Sequence, residues 1–132
     1  MKRFSVALML CVISIMMISC SNNNPLNKTI DQPLTLEEVA SVNDTIFSQI
    51  YDEMKDAFDN LPTEFKVNYI KITYSDVLNF AHKVTDCMEN GKTLEDAQLT
   101  SEEELVGEFM TVSSLSKMGA KPNEIKEYIN KK

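Results

Sequence analysis

The sequence predicts a small all-α protein: an antiparallel helical hairpin or bundle of three to four helices, set behind a signal peptide and a flexible tether. Three observations predict it. Apolar residues recur every three or four positions from Val39 to Met118, the period of helices with one buried face. Helix-start residues precede these runs at Thr35, Thr93 and Ser101, and Gly91 and Gly119 follow them, as helix caps require. A single segment, Phe65–Tyr69, alternates as a strand does, and it has no partner strand. Neither a β-rich nor an alternating helix–strand class fits.

The chain opens with Lys2 and Arg3, followed by an uncharged run, Phe4–Ile18. As a helix this run covers about 22 Å, short of a hydrocarbon core of roughly 30 Å. A positive start, a short apolar run and then small residues make an export signal. The competing reading, an uncleaved membrane helix, lacks both the length and a charged stop flank. Ile18-Ser19-Cys20-Ser21 then resembles the lipobox of bacterial lipoproteins: an aliphatic residue, a small one and the cysteine, with Met17 where Leu is usual. This resemblance covers only the leader. It implies cleavage of a signal peptide, residues 1–19, a diacylglycerol on the Cys20 sulfur and a further acyl chain, such as palmitate, on the new amino group. Ser21 in the second mature position implies delivery to the outer membrane. Two or more acyl chains anchor stably where one is marginal, at about 0.8 kcal/mol per buried CH₂.

Residues 20–34 read as the lipidated N-terminus and a flexible tether, because Ser21–Leu34 is rich in Asn, carries Pro25 and Pro33 and shows little apolar periodicity. Residues 35–132 read as one helical domain. Thr35 and Glu38 form a capping-box pattern ahead of a helix from Leu36 to Asn60, with Val39, Val42, Ile46, Ile50, Met54 and Ala57 inward and Pro62 as the stop. A second helix is expected from Glu64 to Asn90 with a break near Thr73–Ser75. The two form a hairpin around Leu61-Pro62. Thr93–Asp96 reads as a single capped turn. Ser101 with Glu104 starts a third helix that runs to Met118, with Leu105, Phe109, Val112 and Leu115 inward. Pro122 opens a short last helix docked by Ile125, Tyr128 and Ile129.

Charge and cysteine usage bound the function. Both leader charges are basic, so the mature chain sets eleven basic against twenty acidic residues, a net charge of −9. That field repels phosphate backbones and disfavours nucleic acid; it suits basic partners, divalent cations or solubility alone. With Cys11 in the leader and Cys20 lipidated, Cys87 has no thiol to pair with, and it reads as a small buried hydrophobe.

Among candidate sites, Glu102, Glu103, Glu104 and Glu108 make the densest acidic patch. Acids in a first helical turn ordinarily compensate the helix dipole; the functional alternative is a surface for a basic partner, with Glu102, Glu103 and Glu108 exposed. Asp52 and Asp56, one turn apart with Asp59 beyond, form a second such face. They lack the glycine and oxygen spacing of a calcium loop, and no metal site is assigned. His82, the single histidine, stands one turn from Asp86, half of a general-base arrangement without a nucleophile to serve. Glycine is too scarce for a phosphate-cradling loop, and no cofactor is expected. Tyr51, Tyr69, Tyr74 and Tyr128 are spaced as core or core-edge residues, with an aromatic sugar platform as the alternative. These features point to a non-enzymatic, lipid-anchored envelope protein that binds a basic protein partner, for example an inhibitor or immunity-type lipoprotein. The rival is a small-ligand carrier with a cavity between helices, supported by the adaptable Met54, Met88, Met110 and Met118.

Overall fold

In the computed structural model of the chain, residues 24–131 are described; the leader and Cys20 lie outside them. Among the described residues there are six helices and no strand: α1 (Leu36–Ser41), α2 (Thr45–Asp59), α3 (Thr63–Lys66), α4 (Tyr74–Glu89), α5 (Ser101–Lys117) and α6 (Pro122–Asn130). Single 3-10 turns stand at Pro25–Asn27 and Leu94–Ala97. The all-α bundle expected from periodicity is the observed class, with α2, α4, α5 and α6 as its main helices. The α4–α5 pair makes the most extensive contact; α2 packs across both, and α6 closes on α5.

The core is built from one face of each helix. Phe47, Tyr51, Met54, Ala57 and Phe58 come from α2, Tyr74 and Val77 from α4, Val106, Phe109 and Val112 from α5, and Ile125 from α6. Two aromatic groups organise it. The rings of Phe47, Tyr51 and Tyr74 lie 5.7–6.1 Å apart pairwise, and Phe109 meets Tyr69 at 5.4 Å and Phe58 at 6.4 Å, within the range of favourable tilted pairs. Among the described residues the buried core side chains lie between Pro25 and Ile125.

The expected first helix is two. Asn43 takes a left-handed backbone, φ +52, which Asn tolerates better than most residues. Asp44 then caps α2 by accepting from the Phe47 N–H at 3.0 Å. The apolar period of Val39, Val42 and Ile46 continues through this break, so periodicity alone could not reveal it. The second expected helix also divides. After the one-turn α3, Asn68, Tyr69 and Ile72 N–H groups bond carbonyls three residues back, a series of tight turns. Helix α4 starts afresh at Thr73, whose hydroxyl accepts from the Asp76 N–H while the Asp76 carboxylate accepts from the Thr73 N–H. The break expected near Thr73–Ser75 is therefore at Thr73. The link from α2 to α4 spans residues 60–73, longer than the Leu61-Pro62 turn expected.

The largest departure is at residues 25–34, expected to be tether. Ile30 and Leu34 are core residues. Thr29 bridges Thr73, with Ile30 N–H donating to the Ile72 carbonyl at 2.9 Å and Tyr74 N–H to the Lys28 carbonyl at 3.0 Å. Two buried tyrosines complete the fastening: the Tyr51 hydroxyl accepts from Leu34 N–H at 2.6 Å, and the Tyr74 hydroxyl donates to the Gln32 carbonyl at 2.5 Å. Extended, proline-bearing chain shows no helical period, yet its backbone groups are satisfied by partners far along the sequence.

Caps and ends follow the sequence closely. Thr35 accepts from Glu38 N–H at 3.1 Å. Gly91 and Gly119 hold φ +65 and +91, and beyond each the next amide returns to the helix, Lys92 to Cys87 and Ala120 to Leu115, the Schellman arrangement. The α5 cap is Thr100 and not Ser101: its hydroxyl accepts from Glu103 N–H at 3.2 Å.

Candidate partner-binding surface

The face that α5 buries, Val106, Phe109 and Val112, decides where the acidic residues point. Glu102 and Glu104 are exposed and Glu108 is half-buried, but Glu103 is only 4% exposed. Its carboxylate meets the Lys83 ammonium at 2.7 Å, and the same ammonium donates to the Gln98 carbonyl at 3.3 Å. Glu103 is thus withdrawn from the partner surface assigned to it by its neighbours. It ties α5 to α4, while Lys83 holds down the connection that carries Gln98. Glu102 and Glu104 make no ion pair among the described residues.

The second acidic face remains at the surface but is partly neutralised. Asp52 and Asp56 are exposed on α2. Asp56 meets the Lys117 ammonium at 2.9 Å, and that hydrogen bond, with the cation's charge, lowers the Asp56 carboxyl below the usual carboxylate range. No group of three or more potential metal ligands forms among the described residues.

His82 does not pair with Asp86. Its Nε2 lies 2.8 Å from Asp44 Oδ2, and the Asp86 carboxylate instead accepts from the Asn90 side chain at 2.8 Å. Asp44 therefore both caps α2 and reaches α4. Its carboxyl is lowered first by the Phe47 N–H and then by His82. Tyr51, Tyr69 and Tyr74 are buried and cannot form an exposed sugar platform. The Tyr69 hydroxyl is buried beside the Glu108 carboxylate. Burial first, and the nearby Glu108 charge second, push its ionisation up. Cys87 is buried and free, as expected of a small hydrophobe.

The methionines expected in the core are mostly outside it. Met54 is buried, but Met88 and Met118 are 79% and 83% exposed, and Met110 is at the surface too. Concavity is found instead on the α5 side. An open groove of about 730 Å³ runs along Ser101, Glu104, Leu105, Glu108 and Thr111 of α5. Phe80 of α4, Leu94 and Leu99 of the α4–α5 connection, and Gly107 and Met110 of α5 complete its lining. Gly107 lies beside the Phe80 ring, which a Cβ at this position would meet at 3.4 Å, ordinary van der Waals contact. A smaller cleft of about 340 Å³ continues past Ser101 and Leu105 to Glu102, Asp76 and Lys71. The groove walls at Phe80, Leu94 and Leu99 were not assigned from sequence. The available signal was two leucines left in a short connection with no helix face to occupy.

No helix of the described residues is long and apolar enough to cross a membrane. No family model matches the chain, and no curated protein or solved structure is similar to it.

Proposed function

We propose that this is a lipid-anchored, non-enzymatic helical protein of the bacterial cell envelope, held at the outer membrane through Cys20, that binds a basic protein partner in the manner of an inhibitor or immunity-type lipoprotein. The observation that carries the reading is the open apolar groove with Glu104 and Glu108 on its lining and Glu102 at its end. An exposed apolar patch with a charged border is the usual form of a protein-binding surface. The carrier alternative loses its main support, because three of its four methionines lie outside the core, and a ligand carrier buries most of its cargo in an enclosed site.

The folded body also stands close to its anchor. With Pro25 buried, only Ser21–Asn24 separates it from Cys20, a span of at most about 17 Å to Pro25. A partner would be met near the membrane surface.

Two measurements test the reading. Cys20→Ser should release the protein from membranes or leave the leader attached; unchanged fractionation and migration would remove the anchor. A partner captured by the anchored protein should associate more slowly as salt is added, because steering between exposed charges is screened. An on-rate indifferent to salt would leave the acidic surface as a solubilising one and return the carrier to first place.

A further inference from the structure

We infer that the groove on α5 is a docking site for a basic amphipathic helix, a deepening that rests on the partner-binding reading above. The shape is the first argument. Of the α5 lining, Ser101, Glu104, Leu105, Glu108 and Thr111 recur at steps of three and four along the helix, with Gly107 and Met110 widening that face. It extends about 15 Å at a rise of 1.5 Å per residue. That length matches two to three turns of a second helix, which would enter through apolar anchors one turn apart.

Charge supplies the second argument and fixes the occupant. The lining of the main groove contains two carboxylates and no basic residue. Glu102 adds a third at the end shared with the smaller cleft, where Lys71 is the one cation and Asp76 faces it. Lys83 of α4 is already held by Glu103 and Gln98. An acidic helix would meet uncompensated like charge here. A neutral apolar helix would leave the carboxylates unpaired at the rim. A helix with leucine-type residues on one face and lysine or arginine along its flanks answers both features.

Third, the walls of the groove are fixed before the partner arrives. Lys83 pins the connection at Gln98, and the Asp96 carboxylate accepts from both the N–H and the hydroxyl of Thr93. Leu94 and Leu99 are thereby presented on braced chain, which lowers the ordering cost of binding.

The experiment uses the full chain and a synthetic helix of about four turns with leucine on one face and lysine on its flanks. Its glutamate counterpart and a scrambled lysine peptide serve as comparisons. Titration should give binding to the Leu/Lys helix and neither to the glutamate helix nor to the scramble. Leu94→Ser and Glu104→Lys should each weaken it about tenfold, whereas Asp52→Lys on α2, an equal change of charge, should weaken it less than about twofold. Both groove positions are exposed, and unchanged melting shows that the fold survives. Absence of binding to the Leu/Lys helix overturns the inference. So does binding that the scramble matches, or that Asp52→Lys weakens as much as Glu104→Lys. In those last cases attraction of basic chains by net charge persists, so the broader partner-binding reading stands while the groove does not.

Discussion

At position 103 a glutamate lies between two others in the first turn of a helix, and it alone is buried. Its environment turns a residue type expected at the surface into a structural tie to Lys83. Removing one partner of a buried pair strands the other charge. Because Lys83 remains about one-third exposed, the cost of Glu103→Lys is discounted to about 2–4 kcal/mol, whereas Glu102→Lys should change stability by less than about 0.5 kcal/mol. Urea unfolding of the two variants checks the contrast; equal midpoints would put Glu103 in solvent. Asp44 offers a pH test. Its carboxyl is held below the ordinary value of 3.8 by the Phe47 N–H first and His82 second, so the folded state favours the charged form. That contribution is present above the unfolded value and is lost as the pH falls through the depressed native one. Melting followed from about pH 5 to pH 2 should show Asp44→Asn to be less stable than the parent at the upper end and the difference to shrink toward the lower end. A constant difference would contradict the assignment.

Among the elements, strong apolar stripes and the break at Thr73 were legible, and the interruptions at Asn43 and at residues 67–72 were not. Met54, Ala57, Phe109 and Val112 are buried as their spacing requires, whereas Ile46 and Ile50, placed inward by the same spacing, are half-buried beside the buried Phe47 and Tyr51; the glycine caps at 91 and 119 stand where expected. The break at Asn43 was hidden because a single left-handed residue followed by a new cap leaves the three-and-four spacing intact. The turns at residues 67–72 were hidden because Phe65, Tyr69 and Ile72 are buried at helix-like intervals without forming a helix. The α5 cap was assigned one residue late because Thr100 and Ser101 are chemically equivalent. Only the acceptor geometry separates them. The groove was less legible than the core because its walls come from residues distant in sequence. The capping account has a direct test. Thr73→Ala removes the acceptor for Asp76 N–H and should cost about 0.5–2 kcal/mol, while Ser101→Ala should cost little. Reversal of that order would restore the cap to Ser101 and detach the break from Thr73.

For the whole molecule, the N-terminal segment joins architecture to function. Ile30 and Leu34 fill the core beside Tyr51 and Tyr74, and the bridge from Thr29 to Thr73 holds residues 28–30 against the start of α4. A chain shortened to begin at Thr35 would lose both core side chains, each worth about 2–5 kcal/mol when truncated. It should therefore be largely unfolded under conditions where the chain from residue 24 is folded. Far-UV circular dichroism of the two fragments reads this directly. The same packing turns what the sequence presents as a long tether into a short one, and so keeps the groove near the membrane in the function proposed. The central claim is that residues 25–34 belong to the folded body, and hydrogen exchange at the Ile30 amide tests it most directly. That amide donates to the Ile72 carbonyl at 2.9 Å, so it should exchange only through the opening that also exposes the amides of α4 and α5, with protection close to the global stability. Exchange at the rate of an open chain, while α4 and α5 stay protected, would contradict the claim.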